Sequence, residues 1–191
     1  MKRSIFVVFL LFAFCIAVPA YSETVQEETA DASKKKIAIG SAFYEQGNLK
    51  KMLIERLRKR GYQVKDFTEG DPAKKLDYPG IADQVAVEVS NGHYDKGILI
   101  CGTGMGMSIV ANKHPRVYAA LVEDEYAARY SRIFNNSNVL CFGQFVTAPE
   151  KAVDILDVWI DTKFADHPKW GDYCRNIALP QITKIETKVF K

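Results

Sequence analysis

Five short strand-like runs recur along the chain, most of them almost continuously apolar and the second, Tyr62–Phe67, alternating. Between them lie stretches whose apolar residues repeat at helical spacing. The runs are Lys36–Gly40, Tyr62–Phe67, Gly97–Cys101, Val117–Val122 and Asn138–Phe142, and each reads as a strand. The stretches Leu49–Arg60, Ile81–Val89, Met107–Lys113, Asp124–Ile133 and Pro149–Thr162 read as helices. Leu49, Met52, Leu53, Ile54 and Leu57 form one apolar stripe with basic residues opposite, and Gly61 closes that helix. Pro149 suits a first helical turn. The tail, Trp170–Lys191, reads as one more helix broken at Pro180. Strands buried on both sides, alternating with helices over short connections, predict an α/β fold: a five-stranded parallel sheet in a three-layer sandwich. Such sheets carry their sites at the carboxyl ends of the strands. The loops after Gly40, Phe67, Cys101, Val122 and Phe142 are therefore where chemistry is expected.

The 191 residues, 48% hydrophobic and 26% charged, suit one globular domain. The first 22 do not belong to it. Lys2 and Arg3 precede an apolar stretch of about 14 residues, Ile5–Val18, short against the roughly 20 of a spanning helix. Ala20-Tyr21-Ser22 then supplies small residues before a cut. This is the pattern of a secretory signal, with an uncleaved anchor as the alternative. Residues 23–34 read as an acidic tether and 35–191 as the folded domain. The expected location is periplasmic or secreted, without stable membrane insertion after cleavage. The net charge of +3 falls to +1 without the leader, and no block of Lys or Arg remains. That balance argues against nucleic acid or an acidic membrane as the main partner.

Cys101, Cys141 and Cys174 remain after the leader. An odd number leaves at least one free or paired between chains; for Cys141, core packing and a bond to Cys174 both stay open. No Cys or His spacing suggests a metal, and His93, His114 and His167 are far apart. The basic residues of the 49–60 helix read as a solvated face.

The segment Cys101-Gly102-Thr103-Gly104-Met105-Gly106 joins a strand to a helix. Its glycines let backbone amides turn toward one point, and the helix start adds partial positive charge there. An anion, a phosphate or an enediolate oxygen, is favoured at that point. Cys101 is then a base or nucleophile beside an oxyanion cradle. The plainer reading is a tight turn with a buried cysteine. Met107 stands where the dinucleotide fingerprint requires glycine, so no nicotinamide or flavin role follows.

The run GILICGTGMGMSIVANK (97–113) closely resembles the signature of the ribose-5-phosphate isomerase B / galactose-6-phosphate isomerase family. KKIAIGS (35–41), GYQVKDF (61–67), DYP (77–79), Asp124 through Tyr126 and Arg129 to Leu140, and Pro149-Glu150 agree in order and spacing. The resemblance implies a Rossmann-like fold and a cofactor-free, metal-free aldose–ketose isomerase working through an enediol. It implies a homodimer or homotetramer with sites shared between subunits. Cys101 would carry the proton between C1 and C2. The amides of Gly102, Gly104, Met105 and Gly106 and the Thr103 hydroxyl would hold the enediolate oxygen. Asn135 and Tyr78 match substrate-binding positions, Ser41 begins the first site loop, and Glu123 stands at the site edge.

The departures run in one direction. The family's Asp-His pair after the first strand is replaced by Ala42-Phe43-Tyr44. Its ring-opening histidine is Phe134, and two of its arginines are Tyr118 and Phe145. The arginine-rich tail is reduced to Arg175 within 167–175. The implied ligand is a sugar or sugar phosphate, and aromatic faces suit a sugar that lacks phosphate. Besides the isomerase, a catalytically inactive sugar-binding protein on the same fold and, more weakly, a thiol-redox role for Cys101 remain open.

Overall fold

The computed structural model describes residues 35–43, 48–68 and 77–190. The leader (1–22), the tether (23–34) and Tyr44–Gly47 of the first connection lie outside them.

β1 (Lys36–Ser41) lies between β2 (Gln63–Asp66) and β3 (Lys96–Cys101). β5 (Val139–Gly143) pairs with β3 and carries β4 (Ala119–Leu121) on its far side. All pairs are parallel, in the order β2-β1-β3-β5-β4. The chain switches direction across the sheet after β2, so the carboxyl ends of β1 and β3 flank a crevice.

Side chains alternate between two cores. Ile98, Ile100, Leu140 and Phe142 meet α1 (Asn48–Lys59), α4 (Glu125–Asn135) and α5 (Pro149–Asp161) on one face. Leu99, Cys101, Val139 and Cys141 meet α2 (Tyr78–Ser90) and α3 (Met105–Ala111) on the other. This is the expected three-layer sandwich.

β4 is shorter than the Val117–Val122 run. It is an edge strand, and the Tyr118 amide donates to the Asn138 side chain at 2.8 Å instead of to a ladder partner. The tail also differs. It runs through α6 (Gly171–Tyr173), a π-helical stretch Cys174–Ala178 and α7 (Leu179–Val189). Pro180 sits in the first turn of α7 rather than breaking a helix. The wide turn before it accommodates a ring that lacks an N–H and would crowd the carbonyl four residues earlier.

The basic face of α1 is only partly solvated. Arg56 and Arg60 bind Asp157 at 2.7 and 2.8 Å, Arg60 also reaches Asp161, and Lys50 binds the buried Asp66 at 2.7 Å. Burial pushes the Asp157 carboxyl up, but the two arginines outweigh it and hold it below its ordinary value. Cys101, Cys141 and Cys174 are separate, buried thiols. Cys141 lies in a central strand, which settles its role as core packing. Among the described residues no helix is long and apolar enough to cross a membrane.

Candidate active site at the carboxyl edge of the sheet

β3 delivers Cys101 to the carboxyl edge, where the thiol residue is 7% exposed. Gly102, Thr103 and Gly104 then reverse the chain into α3. Gly104 has φ +77°, and its amide donates to Cys101 Sγ at 3.1 Å. The sulfur is thus fixed within the turn. Met105 N–H reaches Thr103 Oγ1 at 3.4 Å, the long end of the hydrogen-bond range. Among the described residues the Gly102 and Thr103 amides donate to no backbone acceptor. An oxyanion site needs amides in that condition, next to the group that moves the proton.

The turn is keyed to β5 from beneath. Gln144 N donates to Cys101 O at 2.8 Å and Phe145 N to Gly102 O at 3.0 Å. A Cβ at Gly143 would lie 2.8 Å from the Thr103 carbonyl carbon. One at Gly104 would lie 2.5 Å from Leu121 Cδ1 and 2.9 Å from the Phe142 backbone. Gly143 and Gln144 were not foreseen as part of the site. Their signal is a place in the loop after Phe142, where chemistry is expected, with a glycine directly after the fifth strand-like run.

Rings stand at both ends of the turn. Phe145 lies against Gly102, where a Cβ would meet its ring at 3.0 Å, and Phe43 meets Phe145 edge-on with centroids 5.3 Å apart. Tyr78 lies against Gly106, where a Cβ would be 2.6 Å from the ring. Asp77 caps α2 by accepting from Gly80 N at 3.3 Å, and Pro79 follows in the first turn, so the cap sets the Tyr78 position.

The other candidates fall into three places. Ser41 is buried beside the switch point, on the face away from Cys101. Its hydroxyl accepts from Phe43 N at 3.1 Å, and its amide donates to Thr68 Oγ1 at 2.8 Å. Glu123 is exposed at the end of β4, next to Asp124, which caps α4 through Ala127 N at 2.7 Å. Asn135 ends α4 at the opposite, amino end of the sheet, three residues before Asn138, whose carbonyl accepts from Gly97 at the start of β3. Arg175 belongs to that end too. It binds Ala165 O at 3.1 Å and Asp172 at 2.8 Å, and Ala165 N in turn binds Ile133 O. Phe134 packs there on Tyr130, and the Tyr118 hydroxyl donates to Glu186 of α7. Of the aromatic departures described, Phe43 and Phe145 therefore gather at the turn, whereas Tyr118 and Phe134 do not. Among the described residues no three His, Cys, Asp or Glu side chains converge as metal ligands.

The sheet is parallel and delivers a thiol into an amide-lined turn at its carboxyl edge, as the α/β class of fold allows. The chain belongs to the ribose/galactose isomerase family, whose model matches residues 37–171. It is 45% identical over 132 residues to a ribose-5-P isomerase B of Listeria innocua, covering 68% of this chain and 86% of that protein. It is 32% identical over 157 residues to a 4-deoxy-4-sulfo-D-erythrose isomerase of a Clostridium species, covering 82% and 98%. The solved structure of Clostridium thermocellum ribose-5-phosphate isomerase B superposes with a TM-score of 0.68 at 39% identity, covering 81% of this chain and 99% of that one. The chain is accordingly an isomerase by class.

Proposed function

We propose that the protein interconverts an aldose and a ketose, free or phosphorylated, through an enediol. Cys101 removes the proton beside the carbonyl and returns it to the neighbouring carbon. The amides of 102–106 and the Thr103 hydroxyl hold the oxygen that becomes negative. The observation that carries this reading is the Cys101 sulfur, held 3.1 Å from Gly104 N beside the Gly102 and Thr103 amides, which among the described residues donate to no backbone acceptor. A base and an anion site in contact are what proton abstraction next to a carbonyl requires.

Asn135 and Arg175 stand at the far end of the sheet from Cys101, so within one chain they cannot share its substrate. A second subunit, in a homodimer or tetramer, supplies them. Residues 1–22 direct the protein out of the cytoplasm, which a mature chain beginning at Glu23 would verify by mass.

Solvent deuterium exchange at C2 of a broad sugar panel tests the chemistry. Exchange is expected with at least one member and is expected to vanish in Cys101→Ser while binding persists. Absence of exchange across the panel, with binding retained by the native chain, would instead identify a non-catalytic sugar-binding protein.

A further inference from the structure

The Cys101 turn is flanked by exposed rings, and the connections at the same edge of the sheet carry carboxylates. Phe145 is 75% exposed and Tyr78 45% exposed, although each also lies against a glycine of the turn. Ring faces left in water at both ends of a reactive turn are suited to a ligand that covers them. The C–H faces of a sugar ring or chain do so, since an aromatic face offers apolar area and a negative quadrupole to polarised C–H bonds.

Cations are scarce among the described residues at the edge where a phosphate would need them. The connections after β1, β3, β4 and β5 (42–47, 102–104, 122–124 and 144–148) contain no Lys or Arg. The connection after β2 (67–77) has two lysines in its sequence against three acids, Glu69, Asp71 and Asp77. At the helix starts, Lys50 binds Asp66 and Lys151 binds Glu125, and Lys51 stands exposed in the first turn of α1. Exposed Glu123 and Asp124 add negative charge to the same edge. A phosphate dianion draws its strong contacts from guanidinium and ammonium groups. Among the described residues it would meet the amides of the turn and more carboxylates than cations. Arg175 itself is bonded to Asp172 and Ala165 of its own chain.

The geometry points to an unphosphorylated, neutral aldose or ketose as the substrate of this pocket, stacked on Phe145 and Tyr78 with its carbonyl oxygen on the 102–106 amides. This assignment rests on the isomerase reading for its chemistry but not for its binding.

The test compares neutral pentoses and hexoses with their phosphate esters on the full chain, as kcat/KM for C2 deuterium exchange. The neutral sugar is expected to exceed its ester by about tenfold or more. Inorganic phosphate at millimolar concentration should not compete. Phe145→Arg should shift the neutral-to-ester ratio by about tenfold toward the ester. A native enzyme that prefers the ester, or that phosphate inhibits competitively, would overturn the assignment and leave the isomerase reading intact. If no sugar exchanges, calorimetric binding separates the two ideas. Neutral-sugar binding that weakens in Phe145→Ala would uphold the charge assignment while the isomerase reading fails. Tighter binding of the ester, or no binding of either, would overturn the charge assignment as well.

Discussion

Gly104 shows how little freedom the site leaves to a single residue. Its left-handed φ of +77° aims its own amide at the Cys101 sulfur, and a Cβ would collide with Leu121 and the Phe142 backbone. Gly104→Ala is therefore expected to cost about 2 kcal/mol or more in urea unfolding, with a larger loss in C2 exchange. Gly106→Ala meets only the half-exposed Tyr78 ring, which can swing away, so its cost in unfolding should be smaller. Cys101 and these glycines were legible in the sequence because a thiol followed by alternating glycines is rare chemistry in a fixed order. Gly143 was not, because a glycine after a strand does not tell which backbone will press on it. Lys96 was also missed. It begins β3 with its ammonium 4.6 Å over the buried Trp159 ring, and Arg132 lies 5.9 Å from the same ring. Burial lowers its pKa from 10.5 to about 7, with Arg132 and Lys35 adding to the shift and Asp95 opposing it. Between those values the unfolded chain binds a proton that the folded chain does not, so stability rises with pH across that window. Below about 7 both states are protonated and the burial cost is felt in full. Lys96→Met should therefore be more stable than the native chain near pH 6, and the gap in urea midpoint should narrow by about pH 9.

At the scale of elements, starts were easier to place than ends. Asp77-Tyr78-Pro79 and Asp124 mark helix starts because a short acidic side chain takes up an amide that the helix leaves unpaired, and both cap as that chemistry requires. Asp124→Ala should cost about 1 kcal/mol of stability by urea unfolding, with little effect on the Cys101 turn. The shortening of β4 was hidden because apolar alternation cannot reveal that Asn138 would take the Tyr118 amide. The tail was misjudged at Pro180 because a proline can be met by widening the turn ahead of it as readily as by ending a helix. The ion pairs between α1 and α5 were hidden too, since they link residues about a hundred positions apart.

For the whole molecule, the class of fold followed from alternating apolar runs, but the placement of β5 between β3 and β4 did not. That order decides which helix start faces which loop, and it arises from long-range pairing that no local pattern records. The parallel strand–helix path in turn sets Cys101, which ends a strand, and Asn135, which ends a returning helix, at opposite ends of one sheet. If a partner subunit completes each site, mixing inactive Cys101→Ser and Asn135→Ala chains should restore about a quarter of native exchange, from mixed dimers with one intact site. Activity that stays at zero on mixing would argue that Asn135 serves another purpose. The three buried thiols, described above as packing and chemistry, are also three clocks. Cys101 lies at the site edge, Cys141 in the centre of the sheet and Cys174 in the wide turn of the tail. A thiol reagent added in mild urea would label each one only as its own region opens. The order expected is Cys101, then Cys174, then Cys141, so that one mass spectrum, taken over time, reads the loosening of site, tail and sheet separately.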